Sequence, residues 1–230
     1  VIFLALLWVN YYFMKFNTLF SPNYSKIKRS GNSIKFIILH YTGMQSERVS
    51  IKRLTSIRKN RVSSHYLVNR KGKILKMVDE KKIAWHAGKS KWKNFENLNR
   101  NSLGIEIVNK GHRFGYEKFT RIQIIKLILL CKFLMKKYKI KRCNILGHSD
   151  IAPLRKKDPG EKFPWFFLAK KGIGSWYISS GKIKKNLNKR SLRDYFFKNL
   201  YKIGYRYFNK NRKLNSDLKV IKAFQRRYRQ

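Results

Sequence analysis

"IKFIILHYT" (Ile34–Thr42) decides how the chain folds. Its apolar residues follow one another without alternation, the pattern of a strand buried on both faces, and the run closes on His40. Working outward, "SIKRLTSIRK" (50–59) has helical spacing, and "SSHYLVNRKGKILKMVD" (63–79) alternates, turns at Lys71-Gly72 and alternates again as a hairpin does. "SLGIEIVN" (102–109) is a second buried strand with Glu106 in its middle. Thr120 and Gln123 form a capping box ahead of "IIKLILLCKFLMKKY" (124–138), a long helix with an apolar face. "CNILGH" (143–148) is a further strand, ending on His148. Strands alternating with helices predict an α/β fold, a central sheet flanked by helices.

The chain divides into an apolar lead-in over 1–30, the α/β domain over 31–172, a polar Gly/Ser-rich linker over 173–190 and a helical segment over 191–230. In the last, "SLRDYFFKNLYKIGY" and "SDLKVIKAFQRRYRQ" read as two short amphipathic helices that bury little by themselves. The N-terminal run "VIFLALLWVNYYFMKFN" is too short for a membrane span. It has two open readings: a remnant of a secretion signal, without a basic leader or A-x-A-like cleavage site, or sequence upstream of a start at Met14.

The 230 residues carry 55 Lys+Arg against 11 Asp+Glu, a formal charge of +44. Such a surface attracts polyanions, including anionic envelope polymers, in loose association. The cations are spread along the whole chain, as a compositional bias spreads them. No recognition-helix, zinc-knuckle or aromatic-platform pattern accompanies them, so no specific nucleic-acid partner is expected. Cys131 and Cys143 lack metal or disulfide spacing and are expected to pack as small buried groups.

Chemistry points to the ends of two strands. Open α/β sheets place their sites at the carboxyl ends of strands, where His40 and His148 fall. Asp158 follows in a loop restrained by Pro153, Pro159 and Pro164. Two imidazoles and one carboxylate are a catalytic zinc set, with the fourth position left for water. Asp150, two residues from His148, is assigned to turn capping or to orienting a ligand. Glu106 reads either as the solvated face of an edge strand or as a general base near the metal's water; buried neighbouring strands and the scarcity of acids favour the base. Lys156 is one of many lysines, but an ammonium beside a metal would help hold an oxyanion.

Five blocks carry a family resemblance: "FIILHYTGM", "VSSHYLVNRKGKI", "IAWHAG", "SLGIEIVN" and "LGHSDIAPLRKKDPGEKFPW". In order and spacing, from Phe36 to Gly172, they resemble zinc-dependent N-acetylmuramoyl-L-alanine amidases of the type 2 amidase family. The resemblance implies a mixed β-sheet flanked by helices, as in peptidoglycan-recognition proteins, and one Zn2+ on His40, His148 and Asp158. It implies Glu106 and Lys156 as catalytic residues, and substrate contacts at Tyr41, His65, Trp85, His86, Asn109 and Arg155. The implied reaction cleaves the amide between the lactyl group of N-acetylmuramic acid and L-alanine, in peptidoglycan or muropeptides, by a monomer. The alternative is a protein that binds muropeptide without cutting it.

"IGY" and "VIKAFQRRYR" are similar to a helical peptidoglycan-binding module, here partial, stopping before the family's Gly-Asp turn and third helix. A wall-binding appendage favours the periplasm or cell envelope over the cytoplasm. "DPGEKFPW" departs from the family in carrying Glu161 where proline is more frequent, with little consequence expected.

Overall fold

The structure is a computed structural model that describes residues 16–177, 189–209 and 212–229. The apolar run before residue 16 and most of the expected linker lie outside the described residues. The strands are β1 (Asn17–Thr18), β2 (Tyr24–Lys28), β3 (Phe36–Tyr41), β4 (Tyr66–Val68), β5 (Ile74–Lys76), β6 (Lys82–Ala84), β7 (Lys91–Trp92), β8 (Phe95–Glu96), β9 (Ser102–Ile107) and β10 (Ile145–Gly147). The α-helices are α1 (Glu47–Thr55), α2 (Arg121–Tyr138), α3 (His148–Ile151), α4 (Trp165–Lys170), α5 (Lys189–Ile203) and α6 (Asp217–Tyr228).

A mixed six-stranded sheet in the order β1-β5-β4-β9-β3-β10 forms the centre. Only β4 and β5, the expected hairpin, pair antiparallel within it; the other neighbours run parallel. The two apolar strands sit inside the sheet with both faces covered, which is why β3 shows no alternation. Ile37 and Leu39 of β3, with Leu103, Ile105 and Ile107 of β9, pack in one buried cluster with Ile124, Leu127, Cys131 and Leu134 of α2. Phe36 and Ile38 point the other way, into a cluster completed by Phe197 and Leu200 of α5 and Val220 and Ala223 of α6.

Helix boundaries follow their caps. At α2, Thr120 Oγ1 accepts from Gln123 N at 3.3 Å while Gln123 Oε1 accepts from Thr120 N at 3.4 Å, the expected capping box. Helix α1 starts earlier than its apolar spacing suggests, because Ser46 Oγ caps it by accepting from Val49 N at 3.2 Å, and it ends where Ser56 turns extended. His148 opens α3 rather than ending a strand: Asp150 Oδ2 accepts the Gly147 N–H at 2.8 Å and starts a helical turn there.

Two expectations fail outright. Cys143 is exposed, while Cys131 is buried as expected. The C-terminal helices bury much more than an isolated pair could, because they use one face of the sheet as a third layer. Phe197, Leu200 and Val220 are each no more than 1% exposed, and burial of each such side chain contributes about 1.5–3 kcal/mol. Ile173, at the start of the expected linker, is also fully buried in the α2-side cluster. Among the described residues, no helix is long and apolar enough to cross a membrane.

Candidate active site

Three donor groups meet where β3 and β10 end. These strands are parallel neighbours, so His40 and His148, the residue just beyond β10, emerge at the same end of the sheet. Asp158 arrives on the loop beyond α3, anchored by its carbonyl, which accepts the Ser149 N–H at 2.8 Å. All three side chains are buried. His40 Nδ1 lies 2.9 Å from His148 Nδ1 and 3.0 Å from Asp158 Oδ2, and His148 Nδ1 lies 3.1 Å from that same oxygen.

The outer ring nitrogens fix which inner ones carry lone pairs. The Ala87 carbonyl, 3.0 Å from His148 Nε2, accepts a hydrogen bond from that nitrogen, with the Arg155 guanidinium 3.3 Å from the same atom; a proton on Nε2 leaves Nδ1 bare. For His40 the assignment runs back along a chain. Ser102 Oγ donates to the Leu98 carbonyl at 2.6 Å, so it accepts from His86 Nε2 at 3.3 Å. His86 Nδ1 is then an acceptor, and His40 Nε2 donates to it at 3.1 Å. Two bare Nδ1 atoms and a carboxylate oxygen thus face one another with no proton between them, an arrangement that a cation satisfies.

Geometry and charge agree with that reading. Metal–ligand bonds of about 2.1 Å at tetrahedral angles set donors about 3.4 Å apart, wider than the observed 2.9–3.1 Å triangle. Burial, reinforced by His148, lowers the His40 pKa to about 4 against the partial opposition of Asp158. Burial alone would raise Asp158, but its contacts with His148 and His40 hold it well below the usual carboxylate range. An unprotonated imidazole beside an ionised carboxylate is the state that metal binding requires. His40, His148 and Asp158 could therefore hold a metal ion.

Glu106 stands beside this group. It is in register with His40 across the β9–β3 pair, so the two side chains share a face. On the same face of β9, Ser102 holds His86, and Gly104 provides the space for its ring: a Cβ on Gly104 would come within 2.4 Å of the imidazole. Glu106 is half-buried, yet its Oε2 is shut off from solvent without a hydrogen-bond partner. Burial and the Asp158 charge raise its pKa well above the ordinary value, while Lys156 works to lower it.

A cavity of about 440 Å³ opens over the group. His40, Glu106, His148, Lys156 and Asp158 all border it, as do Tyr41, Trp85, His86 and Arg155. Arg155 is held there by the Lys89 and Ala87 carbonyls. His65 and Asn109, expected as substrate contacts, are not among the residues that border the cavity. His65 is fully buried: its Nδ1 accepts from Gly104 N at 3.0 Å and its Nε2 meets the Lys82 carbonyl at 3.1 Å. Asn109 is 1% exposed and uses its amide on the backbone of Gly111 and Glu117. His65 thus ties β9 to β6, and Asn109 holds the loop that follows β9.

The sequence offered no signal for His112 and Arg113, which also border the cavity. His112 Nδ1 lies 2.9 Å from the Tyr41 hydroxyl, its Nε2 lies 3.1 Å from Glu161 Oε2, and its ring stacks on Tyr116. Glu161, at the position where proline is more frequent, thus meets a residue that borders the cavity through an exposed contact.

A sequence profile described as N-acetylmuramoyl-L-alanine amidase matches residues 30–161. The chain is 41% identical to N-acetylmuramoyl-L-alanine amidase AmiD of Escherichia coli over 155 residues, 62% of this chain and 55% of that protein. It is 32% identical to 1,6-anhydro-N-acetylmuramyl-L-alanine amidase AmpD of Haemophilus influenzae over 162 residues, 63% of this chain and 85% of that one. The chain spans about half the length of most of the curated relatives it matches. Among solved structures, E. coli AmiD in complex with anhydro-N-acetylmuramic acid-L-Ala-D-gamma-Glu-L-Lys superposes with a TM-score of 0.74 at 32% identity, covering 90% of this chain and 84% of that one. AmpDh3 from Pseudomonas aeruginosa, in complex with anhydromuramic pentapeptide, gives 0.75 at 31%, covering 90% and 88%. Coverage of 90% exceeds what residues 1–177 supply, so both matches extend into the C-terminal helices.

Proposed function

Because the chain belongs to the N-acetylmuramoyl-L-alanine amidase family, we propose that it hydrolyses the amide between the lactyl group of N-acetylmuramic acid and L-alanine. The substrate is peptidoglycan or the anhydromuropeptides derived from it, the ligand type held by the AmiD and AmpDh3 structures. The observation that carries this reading is the convergence of His40, His148 and Asp158 on one point beneath a cavity that Glu106 also borders.

Zinc fits the donor set of two nitrogens and one oxygen, and when bound it would acidify the attacking water and polarise the scissile carbonyl. Glu106, whose Oε2 has no other partner, accepts the water's proton and returns it to the departing alanine nitrogen. Lys156, on the cavity wall, holds the negative charge that develops on the carbonyl oxygen. Tyr41, Trp85, His86 and Arg155 border the space left for sugar and peptide. Helices α5 and α6 enter the proposal as part of a peptidoglycan-binding module, supported by "IGY" and "VIKAFQRRYR".

The test is to incubate zinc-loaded protein with a purified muropeptide and follow release of a stem peptide carrying a free L-alanine amine. Release that stops on chelation and returns with zinc is the expected result. Zinc-loaded protein that binds the muropeptide but leaves its amide intact would overturn the hydrolase in favour of a recognition protein.

A further inference from the structure

Asp150 lies two residues from His148, but its carboxylate is not one of the three converging donors. It is 1% exposed, and all three of its observed partners are donors that grip it from different directions. Gly147 N donates to Oδ2 at 2.8 Å, Arg227 Nη1 donates to the same oxygen at 2.5 Å, and the Tyr205 hydroxyl donates to Oδ1 at 2.5 Å. Tyr205 follows α5, and Arg227 is in the last turn of α6. Arg227 takes a second hold on the same segment by donating from Nη2 to the Ile145 carbonyl at 3.1 Å, while its guanidinium lies 4.0 Å over the Trp165 ring.

Residues 145, 147 and 150 bracket His148; the bonds to Gly147 N and the Ile145 carbonyl hold the backbone that aims its imidazole, and the Tyr205 and Arg227 bonds fix the carboxylate that grips Gly147. We propose that the C-terminal helices position the metal ligand His148, with Tyr205 and Arg227 as positioning residues acting through Asp150. The proposal rests on the zinc amidase reading and adds to it a task for α5 and α6 that is independent of any wall contact. A buried carboxylate is costly unless it is both paired and hydrogen-bonded. Asp150 is both, and two of its three partners come from 55 and 77 residues further along the chain. Metal sites depend on such outer partners because they fix the orientation of the ligands.

The experiment measures zinc affinity of the whole chain by chelator competition, together with the visible absorption spectrum of the cobalt-substituted protein and the melting curve of the metal-free form. Tyr205→Phe keeps the ring that packs on Trp92 at 4.9 Å and removes only the hydroxyl. Arg227→Lys keeps a charge and removes the second grip. Both are expected to weaken zinc binding by about 10–100-fold, with altered cobalt bands and a folded metal-free protein. Val220→Ala thins the packing of the same helix without touching Asp150, and is expected to lower the melting temperature while leaving zinc affinity unchanged. Folded Tyr205→Phe and Arg227→Lys proteins with wild-type zinc affinity and cobalt bands would overturn the proposal. An equal affinity loss in Val220→Ala would do the same, since general loosening would then explain it. Failure of the wild-type chain to bind zinc at all would instead count against the amidase reading.

Discussion

His40 and His65 are both buried and both flank β9, yet the protein uses them in opposite ways. Around His65 the backbone supplies one donor and one acceptor. Gly104 N–H donates to Nδ1, which places the ring proton on Nε2, where the Lys82 carbonyl lies at 3.1 Å and the Arg29 guanidinium at 2.9 Å. Around His40 only the outer nitrogen is matched, and the inner one faces a second bare nitrogen and a carboxylate. Burial pushes both pKa values down, to about 3 and about 4. Burial and pKa therefore do not separate a structural histidine from one that could hold a metal. Unmet lone pairs do.

The largest effect tests that distinction directly. Asp158→Ala removes one corner of the triangle and is expected to abolish both zinc retention and amidase activity, read by metal analysis and peptide release. Zinc retained in that variant would mean that the triangle is not the metal site, and the contrast with His65 would lose its meaning. Next comes Glu106→Gln, which keeps shape and removes the base. Turnover should fall by about 10²–10⁴-fold with zinc content unchanged, separating the group that moves protons from those that hold the metal. A smaller effect is expected at His86. His86→Phe keeps a ring in the space beside Gly104 but leaves His40 Nε2 without its acceptor, and zinc affinity should weaken by about 10–100-fold. Unaltered affinity would show that His40 needs no help in choosing its tautomer.

How much of this was legible in sequence follows the range of the interactions. His40, His148 and Asp158 could be read because strand ends and a proline-restrained loop are local patterns, and Glu106 because a lone acid in a buried strand is conspicuous. The job of His86 was not legible, since it depends on the missing side chain of Gly104 on another strand and on a chain of donors ending at Leu98. His65 sits in the same kind of block as His86, and only the fold separates them. Arg227 was invisible for another reason: among 55 Lys+Arg, nothing in the sequence marks Arg227 as an arginine that is 3% exposed and paired with Asp150. The C-terminal helices were underrated because their partner is a surface assembled from segments scattered along the chain, from Phe36 and Ile38 to Leu146 and Ala152.

The subtlest prediction concerns His65 and acid. Its folded pKa is depressed to about 3 by burial first and by Arg29 second, with the Lys82 carbonyl in partial opposition. A second proton would also set Nδ1–H against the Gly104 N–H, donor against donor. The unfolded chain, with a histidine pKa of about 6.5, binds more protons than the folded one between those values. Stability is therefore fully present above about pH 6.5 and is lost as the pH falls towards 3, at up to about 1.4 kcal/mol per pH unit. His40 and His86 add their own share, so the measurement is a difference. Metal-free wild type and His65→Gln are unfolded with urea at pH 7, 6 and 5, and the gap between their stabilities should narrow as the pH drops. Zinc affinity should stay the same in the two proteins. Parallel pH profiles would mean that His65 titrates normally in the fold, and the sealed environment that sets it apart from His40 would have to be given up.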